Sequence, residues 1–285
     1  MTREIRLLTA EEGTCEYSIA GSGPPVLLFH GGHSNCLEEF GIRSLLHAGY
    51  SVLIPSRAGY GRTTPLRDLE AACRLYGRAV ERSASGKVHV IAVSAGGPSA
   101  IAFCSLYPER VASLVLQCAV AKPWLGPSDS TYRAARRMFN PRMEKTVWTA
   151  LAVFSSAFPA LAFRSMAPSF SCLPYSDVRK RLAPDYRDAF RRMCSRYRSG
   201  FGFLIDLEQT GHDYSRELAG IQAPSLVLHS PQDASVPFAH AHHAHSLLAR
   251  SELVELDSWG HLIWLDQHAA EHDRLLLSFL ERSAR

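Results

Sequence analysis

The chain has 285 residues, 46% of them apolar and 20% charged, with a net charge of +4. That length suits one large α/β domain with an insertion, or two small domains, and the lack of repeats or low-complexity tracts excludes solenoid and fibrous classes. The charge is uneven: residues 121–220 carry 16 Lys+Arg against 9 Asp+Glu, so a basic middle segment sits within a slightly acidic remainder. Seven cysteines, scattered and without a C-x-x-C pair, read as free thiols in a reducing cytoplasm rather than a disulfide scaffold. Arg3, Glu4 and Arg6 interrupt the N-terminal stretch, which lacks the apolar core of a secretory signal.

Glu4–Thr9 and Thr14–Ile19 alternate around Glu12-Gly13 and predict an antiparallel hairpin at a sheet edge. Val26–Phe29 is a fully apolar run, as expected of a strand covered on both faces. Leu37–His47 has helical spacing, Ser51–Pro55 reads as a buried strand, and Leu66–Arg82 as an amphipathic helix. Val88–Val93 is the next strand, followed by a helix over Pro98–Tyr107 and a strand over Val111–Cys118. Beyond the middle segment come strands Ser225–His229 and Leu253–Asp257, each followed by a helix, Phe238–Ala249 and Gln267–Arg282. Strand and helix alternate on both sides of the insertion. The expected fold is therefore α/β, a doubly wound and mostly parallel sheet with ligands at the carboxyl ends of its strands.

The stretch Val88–Ala100 carries the strongest chemical signal. A buried strand turns through Ser94-Ala95-Gly96 into a helix, the pattern of a nucleophile elbow. A serine on so sharp a turn, at positive φ, tolerates only small side chains two places away, here Ala92 and Gly96. Three other loops at strand ends supply its partners. His30-Gly31-Gly32-His33 offers a backbone N–H, from Gly32 or His33, that with the Ala95 N–H forms an oxyanion hole. Asp233 follows strand Ser225–His229, and His261 follows the last strand. The chain order Ser94, Asp233, His261 is that of a catalytic triad on this fold. The loop Ala119–Trp124 has no carboxylate to compete with Asp233, and Asp257 lies only four residues before His261, as a turn residue would.

On these motifs the sequence resembles the α/β-hydrolase family over nearly all of its length outside the insertion. The supporting stretches are His30-Gly31-Gly32, Ser56 to Thr63, Ala92-x-Ser94-x-Gly96, Asp233-x-x-Val236-Pro237 and Gly260-His261. Ala92 stands where the usual pattern has glycine, and Ser56 where many relatives carry Asp. The resemblance implies core hydrolase segments at 1–120 and 218–285 around a helical cap at 121–217. It also implies a serine hydrolase that uses no cofactor or metal and acts on an ester, thioester or lactone of apolar character. Two alternatives stay open: a carbon–carbon hydrolase of β-diketone-like substrates, and a triad-bearing ligand receptor or lyase.

Within the insertion, Val147–Phe163 is 17 residues without a charge, and Pro159 and its serines favour a cap helix pair over a membrane span. Its aromatic residues Trp148, Phe154 and Phe158, with His33 and Trp259, are the candidate substrate-binding residues. Two arginine clusters, Arg133/Arg136/Arg137 and Arg191/Arg192/Arg196/Arg198, could place one guanidinium inward against a substrate carboxylate. His240, His242, His243 and His245 share one helix without converging partners, so a metal site is not expected there. No nucleic-acid module accompanies the basic segment. The expected partner is a small apolar acyl or lactone substrate.

Overall fold

The computed structural model describes residues 3–284. Eight strands form one sheet: β1 (Glu4–Ala10), β2 (Gly13–Ala20), β3 (Pro25–Phe29), β4 (Ser51–Pro55), β5 (Val88–Val93), β6 (Val111–Gln117), β7 (Ser225–His229) and β8 (Ser251–Glu255). Their spatial order is β1-β2-β4-β3-β5-β6-β7-β8. The β1–β2 hairpin pairs antiparallel with itself and with β4, while every later pairing is parallel. β5 lies at the centre and is buried at all six positions, which explains why its run is apolar except for His89, whose Nδ1 meets Ser113 Oγ at 2.8 Å. The outer strands β1 and β8 are the least buried of the sheet, with one fully buried residue between them, as edges are.

Helices cover both faces. α1 (Ile42–His47) and a C-terminal helix (Ala269–Ser283) cover one; α2 (Leu69–Ser83), α3 (Gly97–Leu106) and a helix at Ala239–Leu247 cover the other. This is the doubly wound α/β arrangement expected from the alternation of elements. Where the spacing predicts a helix from Leu37, the chain is helical only from Ile42. The Asn35 and Glu38 side chains take the backbone N–H groups of Leu37, Glu39 and Phe40, and Gly41 adopts a left-handed φ of 73°.

Between β6 and β7 the chain forms α4 (Ser130–Met138), α5 (Glu144–Ala157), α6 (Pro159–Met166), α7 (Tyr175–Arg181), α8 (Tyr186–Arg196), α9 (Gly202–Gln209) and α10 (Ser215–Gly220). The apolar stretch Val147–Phe163 folds as parts of α5 and α6, broken at Phe158-Pro159. α10 packs back on α3 and on the helix Ala239–Leu247, which completes the set as α11, with Ala269–Ser283 as α12. No helix among the described residues is long and apolar enough to cross a membrane.

Candidate active site

β5 delivers Ser94 at φ 52°, a left-handed conformation that a serine adopts only when the surrounding structure forces it. The demand for small neighbours falls mainly after the serine. A methyl on Gly96 would meet the Phe29 carbonyl oxygen at 2.4 Å, and one on Gly97 would meet that of Val120 at 1.9 Å. Ala92, in contrast, is a fully buried strand residue paired with Phe29 and Leu116, and its methyl is accommodated. The constraint at Gly97 is absent from the simple five-residue pattern.

Ser94 Oγ lies 3.0 Å from His261 Nε2, and His261 Nδ1 lies 2.7 Å from Asp233 Oδ2. A carboxylate only accepts, so Nδ1 carries the proton and Nε2 is left to accept from the serine hydroxyl. Asp233 Oδ1 accepts from the N–H groups of Ser235 and Val236, both at 2.8 Å, and His229 Nε2 stands 3.2 Å from Oδ2. Burial opposes the Asp233 charge, but His261 and His229 outweigh it and hold this carboxyl well below the usual carboxylate range. A base that is oriented, tautomerically fixed and linked to a hydroxyl is the arrangement for nucleophilic attack.

The insertion holds this relay in register. Phe170 O accepts the His261 N–H at 2.8 Å, and a methyl on Gly260 would come within 2.3 Å of the same oxygen. Ser171 bridges to Asp233, and Cys172 N–H donates to Gln232 O at 2.9 Å. One short segment after α6 thus laces the aspartate loop to the histidine loop, and nothing in the sequence pattern announces it.

Gly31 and Gly32 bring the loop after β3 against the elbow: a methyl on Gly31 would lie 3.3 Å from Ser94 Cβ, and one on Gly32 3.8 Å from Ala95 Cβ. The His33 N–H donates to Tyr60 Oη at 3.2 Å, whereas the Gly32 and Ala95 N–H groups have no acceptor among the described residues. Of the two donors left open by the sequence, Gly32 is therefore the free one. Tyr60 Oη in turn donates to Asp206 of α9 at 2.6 Å, and Asp206 Oδ2 accepts from Arg57 Nη2 at 2.8 Å. All three side chains are buried, so the stretch Ser56–Thr63 bolts the loop after β3 to the insertion. Asp206 escaped sequence reading because its partners lie 146 and 149 residues away.

Ser94, Ala95, His261 and Gly32 border a cavity of about 360 Å³ roofed by the insertion. His33 and Trp148 line it, as expected. Three other candidates do not. Trp259 is 0% exposed and packs edge-on against Phe163 beneath the insertion, a core position enforced by the tight His261 turn. Phe154 and Phe158 face a groove on the outer side of α5, Phe158 being 59% exposed, because helical periodicity turns them away from Trp148. In their place the wall uses Phe40, Trp124, Phe139, Phe170, Tyr197, Phe203 and Trp264. No arginine of the two clusters lines the cavity either. Arg192 and Arg196 pair with Glu39 and Arg191 with Asp188 at the surface, while Arg133 bonds the Ser128 carbonyl.

The histidines of α11 point to separate partners: His240 accepts from Ala121 N–H, His243 meets Ser215, and His245 meets Ser251. Among the described residues, three potential metal ligands converge only at Cys118, Asp233 and His261, where the relay already occupies the last two.

Residues 24–267 match the family model of the alpha/beta hydrolase fold. The chain belongs to the α/β-hydrolase family and is a hydrolase. It is 47% identical over 283 residues to the uncharacterized hydrolase YcgS of Bacillus subtilis (strain 168), covering 99% of this chain and 100% of that one. It is 27% identical over 252 residues to a 2-hydroxy-6-oxononadienedioate/2-hydroxy-6-oxononatrienedioate hydrolase of Klebsiella pneumoniae, covering 85% and 80%. Among solved structures, an alpha/beta hydrolase fold protein from Nakamurella multipartita superposes with a TM-score of 0.82 at 22% identity, covering 99% and 100%.

Proposed function

We propose that the chain is a serine hydrolase that cleaves an ester, thioester or lactone of a small apolar substrate through an acyl-enzyme. The observation that carries this reading is the hydrogen-bonded line Ser94–His261–Asp233 opening, beside two unpaired N–H groups, into an aromatic cavity. Ser94 Oγ attacks the substrate carbonyl as His261 Nε2 takes its proton. Asp233 stays ionised and stabilises the imidazolium, and the Gly32 and Ala95 N–H groups receive the oxyanion. His261 then protonates the departing alcohol or thiol, and a water activated by the same nitrogen releases the acid.

Carbon–carbon cleavage is the second reading, motivated by the named activity of the Klebsiella relative. That relative's name specifies a dicarboxylate, whereas this cavity presents Glu38 and Asp206 and no Lys or Arg. The charge pattern supports the ester reading. A fluorophosphonate probe is expected to label Ser94, with mass spectrometry locating the adduct, and p-nitrophenyl esters of graded chain length are expected to turn over. Absence of the adduct at Ser94 would defeat both readings; release of two carbon fragments without an alcohol or thiol would favour the second.

A further inference from the structure

The two carboxylates of the cavity wall are in opposite states. Asp206 is saturated by Arg57 and Tyr60. Glu38 is not. Its Oε1 accepts the N–H groups of Glu39 at 2.7 Å and Phe40 at 3.0 Å, which fixes the carboxylate, but no donor of the described residues reaches Oε2. Arg192 and Arg196 pair with Glu39, no ion pair among the described residues includes Glu38, and Arg3 interacts with its carboxylate only at a distance. Arg3 donates to the Glu38 carbonyl oxygen at 2.8 Å instead. The residue is only 1% exposed, so bulk water does not solvate this charge well. A buried carboxylate is costly until something pairs with it.

The rest of the wall indicates what that something is. Phe40, Trp148, Tyr197 and Trp264 line the same cavity, and aromatic rings carry an electron-rich quadrupole that attracts cations. His33 adds no positive charge, since burial and the nearby Arg57 push its imidazole down to about 3. Aromatic rings and one unpaired carboxylate lining the same cavity form a composition that attracts an organic cation and repels an anion.

We propose that Glu38 and the surrounding aromatic rings form a subsite for a cationic nitrogen on the substrate, so that the preferred ester carries an alkylammonium group. The proposal rests on the ester-hydrolase reading of Ser94 and adds the charge class of its substrate. The carboxylate supplies the Coulomb attraction, and the rings take the place of the ammonium group's hydration shell.

The test compares kcat/KM for a choline ester and for its neutral isostere, the 3,3-dimethylbutyl ester of the same acid. The wild-type chain is expected to favour the choline ester by about tenfold or more, the size of one desolvated cation contact. In Glu38→Gln, which keeps the shape and the Oε1 contacts, the ratio is expected to fall to about one. Equal wild-type rates on the two esters, or a ratio that survives in Glu38→Gln, would overturn the subsite. Calorimetry of tetraethylammonium with Ser94→Ala reads the same site without any turnover. Binding that disappears in Ser94→Ala/Glu38→Gln supports the subsite, and no binding to Ser94→Ala counts against it. Failure of the underlying reading has a different signature, namely no turnover of any neutral ester and no fluorophosphonate adduct.

Discussion

The sheet and the helical insertion use their residues under different constraints. At the sheet, each chemical residue follows a strand end, and its place is set by backbone geometry: Ser94 on a left-handed turn after β5, Gly32 after β3, Asp233 after β7 and His261 after β8. In the insertion, side-chain direction decides everything. Trp148 and Phe154 lie on the same helix six residues apart, yet one lines the cavity and the other an outer groove. Strand ends converge because a parallel sheet makes them converge, whereas helix faces acquire a role only from what they pack on. Under the proposed function, the sheet supplies the reacting groups and the insertion shapes the cavity that receives the substrate.

The sharpest way to break this division is at the sheet. Ser94→Ala is expected to lower kcat by at least ~10³-fold with an unchanged melting curve, since it removes the proposed nucleophile and no packing. At the joint between the two regions, Asp206→Ala leaves the Arg57 guanidinium buried without its partner. That change is expected to cost about 3–5 kcal/mol of unfolding free energy in a urea titration. A comparable loss, about 3–5 kcal/mol, is expected from Trp259→Ala, because this side chain fills the core beneath the insertion. Its effect should be confined to stability, whereas Trp148→Ala, at a position both buried and lining the cavity, should also shift the preferred acyl length. If the two exchanged these effects, the assignment of core and cavity positions would be reversed.

Acid provides a gentler probe. Burial pushes His33 to about 3 and His240 to about 4, and holds His30 well below its ordinary value. Their unfolded pKa is about 6.5, so between roughly 6.5 and these folded values the unfolded chain binds more protons than the folded one. The stability they contribute is present above about 6.5 and is lost as pH falls through that window. Each such histidine adds up to about 1.4 kcal/mol per pH unit to the slope. Melting temperatures should thus decline from pH 7 to pH 5; a flat profile would mean that these imidazoles are protonated in the fold. The smallest effect is expected on the outer groove: Phe158→Ser, at an exposed position, should change stability by less than about 0.5 kcal/mol and leave ester selectivity unmoved.

The legible part of the molecule follows local rules. The strands Ser51–Pro55, Val88–Val93 and Ser225–His229 have the bounds their apolar runs predict, and Ser94 and Asp233 follow the last two of these while His261 follows β8. Leu37–Gly41 misleads because its helical spacing is overridden by Glu38 and Asn35 binding the backbone. Trp259 misleads because proximity in sequence to His261 does not give proximity to the cavity.

By itself the sequence determined the sheet, its winding and the residues at its carboxyl edge, because short-range periodicity and steric demands at turns are written in neighbouring residues. Only the tertiary structure decided that Gly32 rather than His33 has the free N–H, that Phe170–Cys172 binds the two catalytic-loop candidates together, and that Asp206 is neutralised while Glu38 is not. Those outcomes depend on groups brought together across long separations, where hydrogen-bond saturation and burial are settled by packing rather than by any local pattern.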